Sequence, residues 1–135
     1  MSHFTRVRTK LRDAEALVAA LKAVGLGRVE VNEEPRHLYG YQGDLRPERA
    51  EVIIRRRDIG RLSNDIGFAR QADGLFEAII SGYDRRKYNE AWLAGLFRSY
   101  SYAATVKYAE THGYEIATDE LEQDGSRRLT LRRSF

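Results

Sequence analysis

The sequence contains no cysteine. That excludes a disulfide, a thiol nucleophile and a Cys-ligated metal, and with them the scaffolds of small secreted proteins. Proline is scarce, with only Pro35 and Pro47 in 135 residues. No apolar run approaches the length of a membrane span, so no membrane association is expected. The opening Met1-Ser2-His3-Phe4-Thr5-Arg6 lacks the apolar stretch of a secretory leader, and a cytoplasmic protein is the simplest expectation. Neither sign of charge dominates: 23 Lys and Arg face 20 Asp and Glu, for a net +3. That balance permits an anionic partner without demanding one.

Hydrophobic residues make up 42% of the chain and charged residues 32%, which is a globular composition. The length suits one domain, residues 1–135, with one core. The strongest pattern runs from Asp84 to His112. Tyr88, Trp92, Leu96, Tyr100, Ala103 and Val106 recur at steps of three and four, placing them on one face of a helix. Asp84 is the expected N-cap and Gly113 the residue that ends the helix.

Before it, Thr5, Val7, Thr9 and Leu11 alternate with Arg6, Arg8 and Lys10, giving a strand with one basic face. Asp13 caps a first helix with the stripe Leu17, Val18, Leu21 and Val24, ended by Gly25. Short strands follow at 28–32 and 38–41, separated by the breaker Glu33-Glu34-Pro35. Residues 44–49, with Pro47, read as a loop. A strand covers 50–54, where Ile53 breaks the alternation. Further strands begin near Asp65 and at Leu75, the latter the most apolar and expected at the sheet centre. Asp73-Gly74 and Asp124-Gly125 mark hairpin turns. In the last strand Leu129 and Leu131 face in while Arg128, Thr130 and Arg132 face out. Residues 45–51 and 56–64 are the expected mobile loops. The order is β-α-β-β-β-β-β-α-β-β, an α+β fold with a mainly antiparallel sheet packed by two helices on one face.

Little of this carries chemistry. His3, His37 and His112 form no metal-ligand spacing, and no Ser-His-Asp pattern stands out. Glu33 and Glu34 are adjacent and would point to opposite faces of a strand. Gly25-Leu26-Gly27 lacks the third glycine and preceding strand of a dinucleotide site, and there is no phosphate-binding loop. No cofactor or metal is expected. An enzyme would need a histidine and a carboxylate brought together by the fold. Gly40-Tyr41-Gln42-Gly43 offers a ligand loop of two glycines flanking an aromatic and an amide, although a structural turn explains it as well.

Two surfaces suggest binding. Arg6, Arg8 and Lys10 on the first strand and Arg128 and Arg132 on the last would form a cationic nucleic-acid patch if those strands were neighbours. Tyrosines would then supply stacking. Solvated sheet faces and protected edges account for the same residues. Leu93, Phe97 and Tyr108 lie beside the main stripe of the long helix. They either widen the buried face or present a surface to a second copy or a companion protein.

Several short motifs occur in order: Met1-Ser2-His3-Phe4, Arg12-Asp13, Gly40-Tyr41-Gln42-Gly43, Asn64-Asp65-Ile66-Gly67-Phe68, Gly113-Tyr114 and Asp124-Gly125-Ser126. With them the chain resembles the hypothetical chloroplast reading frame thirty-five family of cyanobacteria, plastids and other bacteria. The charged residues around Pro47 and from Asp58 to Arg61 depart from that pattern. The resemblance assigns no catalytic residues. It implies a non-enzymatic adaptor or accessory subunit of a bacterial AAA+ ATPase-linked system, in a stress or anti-phage setting. The implied partners are the ATPase or a small companion protein.

Overall fold

The computed structural model describes residues 3–133. Met1 and Ser2, which open the first motif, lie outside the described residues. Strand β1 (Phe4–Arg8) is followed by helix α1 (Ala14–Ala23). Strands β2 (Glu30–Tyr39), β3 (Leu45–Ile54), β4 (Ile66–Arg70) and β5 (Phe76–Ser81) come next. Helix α2 (Glu90–Thr111) and the hairpin β6 (Tyr114–Leu121) and β7 (Arg127–Arg133) complete the order. The fold is α+β. A five-stranded antiparallel sheet runs β1-β5-β4-β3-β2, and β6 and β7 form a separate two-stranded sheet.

Asp13 caps α1 as its side chain accepts from the Ala16 N–H at 3.2 Å. Gly25 ends that helix at φ 101°, a left-handed turn that glycine adopts without a Cβ clash. The long helix starts later than its periodicity implied. Residues 84–86 form a single 3-10 turn, and α2 begins at Glu90 with Asn89 as cap, accepting from Trp92 N at 3.1 Å. Asp84 is instead 3% exposed, held by other elements. A short polar side chain caps a helix only from a free, non-helical position, and Asp84 is committed inward.

The expected strands 28–32 and 38–41 are two halves of β2. Glu33-Glu34-Pro35 does not end it but bulges: from Val31 to Arg36 β2 advances five residues while its partner advances two, from Val52 to Ala50. The expected loop 44–49 is the first half of β3, and Pro47 sits in that strand beside the second register shift. β2 is an edge strand, and bulges at an edge bend the hairpin. The bend carries Leu38 and Ala50 onto the sheet face opposite the helices. There they cluster with Ile53, Ala69 and Ile79, and Phe4 packs alongside. This explains the break in alternation at Ile53, because Val52, Ile53 and Ile54 are all fully buried, on both faces. β4 occupies the middle of the sheet and β5 lies inside it, next to β1.

The larger core lies between sheet and helices, with Leu17, Leu21, Ile54, Phe68, Ile80 and Leu96 fully buried. Each such side chain contributes about 1.5–3 kcal/mol. Gly67 lets the bent hairpin approach, since a Cβ there would meet Ala50 Cβ at 2.7 Å and Leu38 Cδ2 at 3.0 Å. Among the described residues, no helix is long and apolar enough to cross a membrane.

Candidate functional site

β1 ends at Arg8, but the chain stays alongside β5. Leu11 N donates to Thr9 Oγ1 at 3.1 Å, the Thr9 hydroxyl donates to the Phe76 carbonyl, and Phe76 N donates to Leu11 O at 2.8 Å. The next two amides, of Arg12 and Asp13, both donate to the Tyr100 hydroxyl at 2.9 Å. These bonds lock the link between β1 and α1 to the middle of α2. Between that link and the first turns of α2 lies an open cleft of about 680 Å³. Val7, Leu75 and Phe76 line its sheet side. Leu93 and Phe97, one helical turn apart, line its helix side. Arg8 and Lys10 also border it and carry no ion pair among the described residues, whereas Arg6 is bound to Glu77 at 3.1 Å.

The cleft joins residues from both binding surfaces suggested by the sequence. Leu93 is half-buried against the core, while Phe97 is 39% exposed and stacks on Tyr100. Tyr108 does not join them. It stands eleven residues further along α2, about 16 Å along the axis, stacked on His112 and Tyr114. The two basic strands are not neighbours: β1 pairs with β5, and β7 pairs with β6 in the other sheet. Arg128 is paired with Glu122 at 3.2 Å and Arg132 with Glu115 at 2.5 Å.

Gly40-Tyr41-Gln42-Gly43 forms a turn closed by its own backbone, Gly40 N donating to Asp44 O and Gly43 N to Gly40 O. Tyr41 N donates to Asn64 Oδ1 at 2.9 Å, and its carbonyl accepts from Arg56. The turn thus meets the Asn64-Asp65 motif in a polar network. Asp65 is fully buried and accepts from Tyr39 N, Arg56 N and Arg55 Nη1 at 2.7–2.8 Å. Arg55 also makes a two-bond pair with Glu30, which holds that carboxylate below its ordinary pKa. Asp84 takes Asn64 N, Asn64 Nδ2 and the Ser81 hydroxyl on one oxygen. The 56–64 segment, expected to be a mobile loop, is laced by Arg56 to the carbonyls of Tyr41, Arg61 and Ser63. Two motifs separated in sequence therefore do one structural job, pinning the bent hairpin.

His37 bonds the Arg46 carbonyl within the β2–β3 hairpin, and His112 bonds Tyr108 O at the end of α2. Among the described residues no group of three His, Cys, Asp or Glu is placed to hold a metal. The sequence reading missed Val7, Leu75 and Phe76 as cleft residues, although the β1 alternation already put Val7 on the inner face. It also missed a second opening of about 700 Å³ between the helices, floored by Ala16, Ala19, Gly95 and Ala103 and edged by Arg98 and Arg127. The spacing was visible, with Ala16 and Ala19 three apart and Gly95, Ser99 and Ala103 four apart.

The fold and cleft define an α+β protein with an open, largely apolar recess beside an edge strand. The chain belongs to the DUF1257 family, a family of proteins of unknown function, whose model matches residues 20–130. It is 26% identical over 134 residues to the uncharacterized protein ycf35 of Cyanophora paradoxa, covering 98% of each chain. It is 22% identical over 142 aligned positions to the ycf35 protein of Pyropia yezoensis, again with 98% of each covered. This is the reading-frame family that the motifs resemble. No solved structure matches the chain.

Proposed function

We propose that the protein is a non-enzymatic adaptor or accessory subunit, and that the β1–α2 cleft receives its partner. The observation that carries this is the position of Phe97, a large aromatic on a long helix, 39% exposed at the rim of an apolar recess. Leaving such a ring in water costs free energy that a partner recovers, and buried aromatic anchors dominate most interfaces. Asp73, Glu77 and Glu90 line the cleft together with Arg8 and Lys10, so its charge is mixed and the apolar fit, rather than charge, selects the partner. The family resemblance supports an AAA+ ATPase or a small companion protein as that partner, in a cytoplasmic setting.

The nucleic-acid reading keeps Arg8 and Lys10 but loses Arg128 and Arg132, which are paired and on another sheet. Affinity purification from the native host at low and high salt, read by mass spectrometry, separates the two. The adaptor reading expects an ATPase or small companion protein retained at both salt concentrations, and lost from a Phe97→Asp bait. Nucleic acid that disappears at high salt, with no protein dependent on Phe97, contradicts it.

A further inference from the structure

A third hollow, about 610 Å³, opens between residues 59–63 and the 3-10 turn at 84–86. Three cations line it, Arg61, Arg86 and Lys87, none in an ion pair among the described residues. One carboxylate lines it, that of Asp84. Two polar side chains at its base, Ser63 at 7% exposure and Asp84 at 3%, are more than nine-tenths buried. The bonds to Asp84 all fall on Oδ2. Ser63 Oγ and Asp84 Oδ1 have no hydrogen-bond partner among the described residues. Neither is sealed from water, so both remain open to solvent. Both belong to residues that line the hollow beside its cationic rim, where the polar groups of a ligand can replace water.

Three cations against one carboxylate leave an excess of two positive charges, which balances the roughly two negative charges of a phosphate monoester near neutral pH. Asp84 Oδ1 accepts but cannot donate, so it calls for a hydroxyl on the ligand rather than a second anion. A Cβ at Gly60 would crowd Ser63 Oγ at 3.1 Å, so glycine there leaves that hydroxyl uncrowded. We infer that this hollow binds a small hydroxylated phosphate monoester. The phosphate sits on Arg61, Arg86 and Lys87, and a hydroxyl donates to Asp84 Oδ1 beside Ser63. The site is independent of the β1–α2 cleft, and either can fail without the other.

The fold supplies a reporter. Tyr88 lines the hollow, and the chain's single Trp92 packs edge-on against it with ring centroids 4.9 Å apart. Titration with ribose 5-phosphate, inorganic phosphate and ribose, followed by calorimetry and by Trp92 fluorescence, tests the inference. Saturable heat is expected with ribose 5-phosphate, weaker by on the order of tenfold with inorganic phosphate and absent with ribose. Arg86→Gln with Lys87→Gln should weaken ribose 5-phosphate binding by roughly tenfold or more, and Arg61→Gln, at an exposed position, should weaken it with the circular dichroism spectrum unchanged. Asp84→Asn in a folded protein should narrow the gap between ribose 5-phosphate and inorganic phosphate. No saturable heat with ribose 5-phosphate at millimolar concentration overturns the inference, as does binding that the Arg86/Lys87 pair and Arg61→Gln leave unchanged.

Discussion

At the scale of single residues, two positions carry the bent hairpin. Gly67 stands where a methyl group would press on Ala50 Cβ, an atom without a rotamer to escape by. Gly67→Ala should therefore cost about 1–3 kcal/mol of stability by overpacking, read from urea denaturation. Asp65 holds three donors in a fully buried place. Its replacement by alanine leaves two backbone amides without a partner and takes one of the two carboxylates from Arg55, which keeps Glu30, and a loss of about 3 kcal/mol is expected in the same assay. Glu30 gives a pH signature. Arg55 lowers its pKa in the folded state from an ordinary value of 4.5. Its contribution to stability is then present above that value and fades as pH falls through the folded one. Denaturation midpoints should fall on acidification below about pH 4.5, less steeply in Glu30→Gln. An equal slope in both proteins would contradict this.

At the scale of elements, sequence periodicity located both helices because their buried stripes persist over several turns. It misplaced the start of α2 because Tyr88 lies in phase with the stripe while belonging to the turn before it, packed on Trp92. Asn89→Ala should cost about 1 kcal/mol as a lost cap, whereas a cap at Asp84 would make Asn89 neutral. The merging of two expected strands into β2 was hidden for a different reason. Glu33-Glu34-Pro35 carries every local sign of a break, and only the pairing with β3 reveals it as a bulge. Pro47 misled in the same way, since proline is tolerated beside a bulge near an edge. Local chemistry reports where a strand bends. The partner strand decides whether it also stops.

At the scale of the whole molecule, the site was partly legible. Leu93 and Phe97 stood out as apolar residues beyond the main stripe of the helix, and Arg8 and Lys10 as a strand face. Nothing local said that β1 would face the start of α2 across a cleft, because that arrangement depends on β1 joining the far edge of the sheet beside β5. The imagined union of β1 with β7 failed on the same ground, as both ends of the chain carry strands and only topology assigns them to different sheets. The central claim is that the β1–α2 cleft seats a protein partner, and site-specific photo-crosslinking in the native host tests it most directly. A benzophenone side chain replaces Phe97 in one protein and Leu121, a 70% exposed residue on the far hairpin, in another. The account predicts a discrete protein adduct, an ATPase or a small companion, from position 97 and not from 121. Equal capture at both positions, or adducts to nucleic acid alone, would contradict it.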